Sequence, residues 1–271
     1  MTGWGLAAGD QLLPGRVVHR LLGGGQSYEA YLVFDDGLLH SAVAKVLRPD
    51  RVGDLVARRS IAREAAVLDA VRHPVVVRSF DAVLDGDRPH LLLEHLEGPR
   101  LSSLVRRHGP LAPEQLLPLA LELASALHYL SGRGLVHLDV KPGNVVMGAP
   151  ARLIDLSVTR SVEEAAALRH VVGSDCYLSP EQSRPAGGRV GPAADVYGLG
   201  ATLFHAVTGR APEPGELPTG VPWALAELVV ACLDPQPRGR PTPAEVAAAV
   251  QPLIASLPRP VLAGFRPQRF G

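Results

Sequence analysis

Three short runs of apolar and β-branched residues dominate the first part of the chain: "RVVHRLL" from Arg16, "YEAYLVF" from Tyr28 and "HSAVAKVL" from His40. Runs of this length and composition predict strands. Gly23-Gly24-Gly25-Gln26-Ser27 joins the first two, and Asp35-Asp36-Gly37 turns the second into the third. The period then changes: across residues 55 to 71, Ile61, Ala65, Leu68 and Val71 recur at helical spacing. His73-Pro74 ends that helix, because the residue before a proline is pushed out of the helical region. Two further strands are predicted near 76–84 and 89–95, split by Asp85-Gly86-Asp87. From Pro113 the pattern turns helical, with one long apolar helix closed by glycine despite Pro118, and three more near 193–208, 223–232 and 243–256. Between them lie a loop, the short strands "VVM" and "RLI", and a segment over 155–181 that reads as polar.

The layout is α+β: a small, mainly β part holding one helix, then a larger, mainly helical part, with the boundary near 95–100. Residues 1–12 are expected to form a flexible leader, and 258–271, rich in proline and arginine, a loose tail. Residues 13–257 are expected to be one domain of two lobes, about 13–96 and 97–257.

Composition removes several classes of function. A hydrophobic share of 46% supplies a core, and an aromatic share of only 4% leaves the packing to Leu, Val and Ala. The net charge is zero, which argues against nucleic acid as a partner. No charge-free apolar run approaches the length of a membrane span, and the start of the chain lacks the pattern of a secretion signal, so a cytoplasmic protein is expected. Cys176 and Cys232 are too few and too far apart for a disulfide framework or a zinc site.

One oddity points to chemistry. Of 27 basic residues only Lys45 and Lys141 are lysine, and Asn144 is the only asparagine. Lys141 and Asn144 both fall in "GLVHLDVKPGNVVM", residues 134 to 147. Within it, H-L-D-V-K-P-G-N resembles the catalytic loop of protein kinases in the form typical of the Ser/Thr branch. The resemblance implies that Asp139 accepts the substrate hydroxyl proton, that Lys141 sits against the γ-phosphate, and that Asn144 holds Mg²⁺. Lysine suits phosphate as a compact point charge that arginine's planar fork does not replace, and the asparagine carbonyl suits a hard cation.

"AVAK" at 42 to 45 is similar to the family's V-A-I-K strand, which implies that Lys45 pairs with the ATP phosphates and that Glu64 is its ion-pair partner. Asp155 in "LIDLS" matches the D-F-G aspartate, a second metal ligand. The same resemblance makes Leu22, Gly23 and Gly25 part of the nucleotide-covering loop and Ala30 and Val43 the adenine roof, with Glu94 and Leu96 offering backbone groups. "SPE" at 179–181 stands for A-P-E, with Ser174 in place of a threonine that bonds the catalytic loop. Asp195 opens a stretch like the central helix of the large lobe, and Arg240 matches the arginine that pairs with Glu181.

The resemblance covers about residues 14 to 256 and implies a two-lobed protein kinase fold of bacterial Ser/Thr type. It implies ATP with Mg²⁺, or Mn²⁺ in its place, and a protein substrate with a Ser or Thr acceptor; the regulating signal is expected to come from a regulatory partner in trans or from the tail. Some positions depart from the pattern. Leu138 replaces the arginine before the catalytic aspartate, which marks a non-RD kinase and implies activity without activation-loop phosphorylation. Tyr28 takes the third glycine's place and is expected to narrow the lid over the phosphates, and Leu156-Ser157 replaces Phe-Gly. Residues 210–222 are too few for the helix the family usually fits there. Two alternatives stay open: a nucleotide-binding pseudokinase scaffold, and a small-molecule kinase of related fold.

Overall fold

The computed structural model describes residues 2–185, 189–212 and 221–257. Six antiparallel strands form one sheet: β1 (Gln11–Leu13), β2 (Arg16–Gly24), β3 (Tyr28–Asp35), β4 (His40–Leu47), β5 (Ser79–Val83) and β6 (His90–Glu94), in the order β1-β2-β3-β4-β6-β5. The pleat sorts their side chains. In β4, Ala42, Ala44 and Val46 are buried on the outer face, so Val43 and Lys45 project to the other, toward the helical part. In β3, Ala30 lies opposite Lys45 and Leu32 opposite Val43.

That outer face is apolar, and the start of the chain covers it. Trp4 and Leu6 pack on a core of Leu12, Val18, Tyr31, Val33, Ala42, Ala44, Val46 and Leu92. The Trp4 indole N–H donates to the Leu47 carbonyl at 2.7 Å, and β1 pairs with β2. The leader expected to be flexible is therefore packed down. A sheet face of alanine, valine, leucine and tyrosine gains from removal from water, and Trp4, Leu6 and Leu12 are the apolar residues at hand.

Helix α1 (Leu55–Ala70) starts where Asp54 accepts from the backbone N–H groups of Val56 and Ala57 at 2.8 and 3.3 Å. Its buried stripe is Ala57, Ile61, Glu64 and Leu68, so Glu64 stands in an otherwise apolar line that faces β4. The helical part contains α2 (Leu101–His108), α3 (Pro113–Gly132), a hairpin of β8 (Val145–Val146) and β9 (Arg152–Leu153), α6 (Pro192–Thr208), α7 (Trp223–Cys232) and α8 (Pro243–Ala255). Helix α2 has no counterpart in the sequence reading, since only Leu101 and Val105 are buried along it and two positions make no period. The main core runs from α1 and β6 through α3 and α6 to α8.

The segment over 155–181 is less polar than its sequence reads. It opens with β10 (Arg160–Ser161), which pairs with β7 (Leu135–Val136), and continues into α4 (Val162–Ala166), capped reciprocally by Ser161 and Glu164. Ala165, Leu168 and Val172 then bury against Val136, Leu138, Val190 and Ala194. Helix α5 (Pro180–Ser183) ends the segment. The tail 258–271 and most of the short 210–222 connection lie outside the described residues. No helix among the described residues is long and apolar enough to cross a membrane.

Candidate active site

A cleft of about 940 Å³ separates the sheet from the helical part. Leu22, Gly23 and Gly25 of the β2–β3 turn line its upper side together with Ala30 and Val43. Glu94 and Leu96 line its back where the chain leaves β6, and Lys141, Asn144 and Asp155 line its floor. The structure thus brings all the residues singled out for nucleotide and metal to one cavity.

At the inner end stands a buried ionic cluster. Lys45 Nζ donates to Glu64 Oε1 and Oε2 at 2.9 and 2.7 Å and to Asp155 Oδ1 at 2.8 Å. Glu64 is fully buried, whereas the Asp155 side chain keeps 38% exposure toward the cleft. Burial alone would lower the Lys45 pKa, but the Glu64 and Asp155 carboxylates outweigh it and hold the ammonium above its ordinary value. Burial likewise pushes the Asp155 carboxyl up, and Lys45 overrides it, leaving this group well below the carboxylate range. Asp155 is held at a φ of 67°, a left-handed conformation that costs a non-glycine residue energy.

Tyr28 belongs to this cluster. Its ring centroid lies 4.7 Å from Lys45 Nζ, and its hydroxyl is 3.5 Å from the Ala57 carbonyl of α1. The side chain thus turns in toward Lys45 and α1, where a cation and a carbonyl await it.

The loop between β7 and β8 is held from beneath by Asp195 in the first turn of α6, which accepts from the backbone N–H of His137 at 2.7 Å and of Leu138 at 2.8 Å. Burial raises the Asp195 pKa to about 7 against those two bonds. Gly198 lets α6 approach, since a Cβ there would stand 2.9 Å from the Val140 carbonyl oxygen. His137 is fully buried, and its Nδ1 accepts from the Asp139 N–H at 3.2 Å, a structural bond. Asp139 Oδ2 accepts from Lys141 Nζ at 2.6 Å and from Asn144 Nδ2 at 2.9 Å, while its Oδ1 is buried with no partner among the described residues. Lys141 also donates to Ser174 Oγ.

Glu181 and Arg240 lie away from the cleft. Their bidentate pair, 2.7 and 2.9 Å, is buried and ties α5 to the start of α8, and Arg240 also donates to the Ala193 carbonyl of α6. Sequence reasoning missed Gln182, whose Nε2 donates to the carbonyls of Leu138 at 2.9 Å and Val172 at 3.0 Å. It also missed Arg152, which reaches the Glu94 carboxylate across the cleft's back. No spacing rule links either pair.

A lysine shared by two carboxylates and an aspartate held by a lysine and an asparagine, set at a cleft between a sheet and a helical part, is the arrangement expected of the protein kinase class. Comparison with known proteins agrees: the protein kinase domain profile matches residues 16–220, and the chain belongs to that family. It is 36% identical to the probable serine/threonine-protein kinase PkwA of Thermomonospora curvata, over 87% of this chain and 33% of the relative. It is 36% identical to pkn2 of Myxococcus xanthus over 88% and 29%, and 31% identical to PknB of Mycobacterium leprae over 75% and 34%. The chain thus spans about a third of the length of these relatives.

Proposed function

We propose that the protein is an ATP-dependent Ser/Thr protein kinase that moves the γ-phosphate of Mg-ATP to a protein hydroxyl without needing a phosphate on its own activation segment. The observation that carries the reading is the Asp139 carboxylate, fixed through Oδ2 by Lys141 and Asn144. Fixed in this way between a lysine and an asparagine that both line the cleft, Asp139 is placed to take the proton of a substrate hydroxyl as its oxygen attacks phosphorus. Lys141 meets the developing charge on the transferred group, and Lys45, kept cationic by Glu64, holds the upstream phosphates. The donor set fits a divalent cation, since the Asn144 amide and the Asp155 carboxylate both offer hard oxygens to the cleft. Such an ion, when bound, neutralises phosphate charge.

Independence from segment phosphorylation is supported by Leu138. Where a cation would need a phosphate to grip, Leu138 is 3% exposed and packs with Ala165, Leu168 and Val172 of the segment. Gln182 adds its bonds to Leu138 and Val172. The segment is therefore ordered by contacts that need no added charge. ATP turnover with Ser- and Thr-containing peptides, compared with small alcohols, tests the substrate class. Peptide-dependent turnover is expected, and turnover with alcohols alone would favour a small-molecule kinase.

A further inference from the structure

The β2–β3 hairpin that roofs the cleft carries three consecutive glycines: Gly23 and Gly24 end β2, paired with Ala30 and Glu29, and Gly25 opens the turn, a position with little conformational preference of its own. In this protein it is held from outside. Arg48, one residue past β4, donates from its backbone N–H to the Ser27 carbonyl at 2.9 Å and from Nε to the Gly25 carbonyl at 2.7 Å. Its guanidinium is oriented by Glu29, through an ion pair of 3.1 Å in which both side chains are largely buried.

Glu29 is fixed in turn by the start of the chain. Its Oε2 accepts from the Trp4 backbone N–H at 3.0 Å and from the Tyr31 hydroxyl at 2.8 Å. Trp4 is anchored by its indole bond to Leu47 and by Arg88, whose guanidinium lies 5.0 Å from its ring centroid. The Thr2 carbonyl also accepts from Arg48, at 3.4 Å. Gly3 passes so close that a Cβ there would overlap Glu29 Oε1. Neither Arg48 nor Glu29 lines the cleft.

We propose that Arg48 is a positioning residue for nucleotide binding, and that residues 2–6 are a strap acting through Glu29 to hold it on the Gly25 carbonyl. Fixing a glycine turn over the cleft in advance removes an ordering cost from nucleotide binding and leaves the reacting groups untouched. The strap therefore sets affinity for ATP and has little effect on turnover. Whatever lifts residues 2–6 off the sheet loosens nucleotide binding. The inference rests on the kinase reading.

The test measures ATP affinity by direct binding, and KM and kcat with a protein substrate, in the full chain and in Arg48→Ala, Arg48→Lys and Gly3→Ala. Arg48→Ala is expected to weaken ATP binding and raise its KM about tenfold with kcat within about twofold, and Gly3→Ala to raise KM about threefold. Arg48→Lys keeps the charge beside Glu29 and is expected to recover part of the loss. Gly3→Ala should add nothing in the Arg48→Ala background, because the strap acts through that guanidinium. Unchanged ATP affinity in Arg48→Ala, or a full extra effect of Gly3→Ala on top of it, overturns the strap. If Arg48→Ala does not fold, unchanged affinity in a folded Gly3→Ala overturns it. A parent chain that binds no ATP overturns the kinase reading and the strap together, whereas a parent that binds alongside variants that bind equally overturns the strap alone.

Discussion

The segment that begins at Asp155 is held at two joints of opposite chemistry. Its first joint is ionic: Asp155 and Glu64 share Lys45, and Asp155 keeps 38% of its side chain open to the cleft. Its second is apolar: Leu138, 3% exposed, packs with residues of α4 and the stretch after it. The difference is one of purpose. Charged groups that line a cleft can exchange one another for phosphate or a cation, so the ionic joint can take part in a reaction. An apolar contact has nothing to exchange and fixes shape only.

If that contrast holds, the two joints fail differently. Replacing Lys45 with methionine should cost the most, with phosphoryl transfer falling about a thousandfold or more as a phosphate-facing cation is lost. Phosphate incorporation into a protein substrate measures it, and transfer near the parent rate would show that Lys45 is only a structural ion. At the apolar joint, Leu138→Ala should lower unfolding stability by about 3 kcal/mol, and Leu138→Met by less than about 1.5 kcal/mol. Urea melts measure both, and limited proteolysis should cut Leu138→Ala first within 160–175. An equal response of the two variants would mean that packing at Leu138 does not hold the segment. Replacing Gln182 with methionine should cost about 1–3 kcal/mol, since the Leu138 and Val172 carbonyls would lose their donor inside the protein.

The smallest effect concerns pH. His90 and His137 are both held below the ordinary histidine value of 6.5, chiefly by burial. His90 Nδ1 faces the Arg88 carbonyl at 2.8 Å, so its Nε2 is left to accept from Arg16 at 2.7 Å; the Asp81 carboxylate lies nearby, bound to the same guanidinium. Below pH 6.5 the unfolded chain binds protons that these folded histidines refuse, so their contribution to stability is full above that value and falls as the pH drops beneath it. The Asp195 carboxyl, raised to about 7, acts in the opposite sense over the same window, so the histidine contribution is read as the difference between parent and His90→Gln thermal melts from about pH 7 to pH 5. The parent should lose more stability on acidification than His90→Gln, and parallel curves would exclude this account of His90.

Where local pattern and long-range contact coincide, the sequence was readable. Lys45 sits on a strand whose alternation sends it to the cleft, and Glu64 lies on the same helical stripe as Ile61 and Leu68, while their pairing is anticipated from the likeness of the 42–45 strand to the family motif. Asp139, Lys141 and Asn144 are close in sequence as well as in space. The strap was not readable: Trp4 stands alone among small residues, and nothing local says that an apolar sheet face waits for it. The same holds for Ala165, Leu168 and Val172, which stand beside further alanines and Val171 with no period to mark them and become a cluster only against Leu138. Tyr28 could be assigned to the loop but not to a direction, because its partners lie on β4 and α1.

The central claim is transfer by a site ordered without added phosphate, and intact-mass spectrometry tests it most directly. The protein is stripped with phosphatase, freed of the phosphatase, and incubated with Mg-ATP and a generic protein substrate beside an Asp139→Asn control. The account predicts one-phosphate steps on the substrate with no initial lag, and none in the control. A substrate that stays unmodified while ATP still raises the melting temperature, or one modified only after the segment itself gains phosphate, would contradict it.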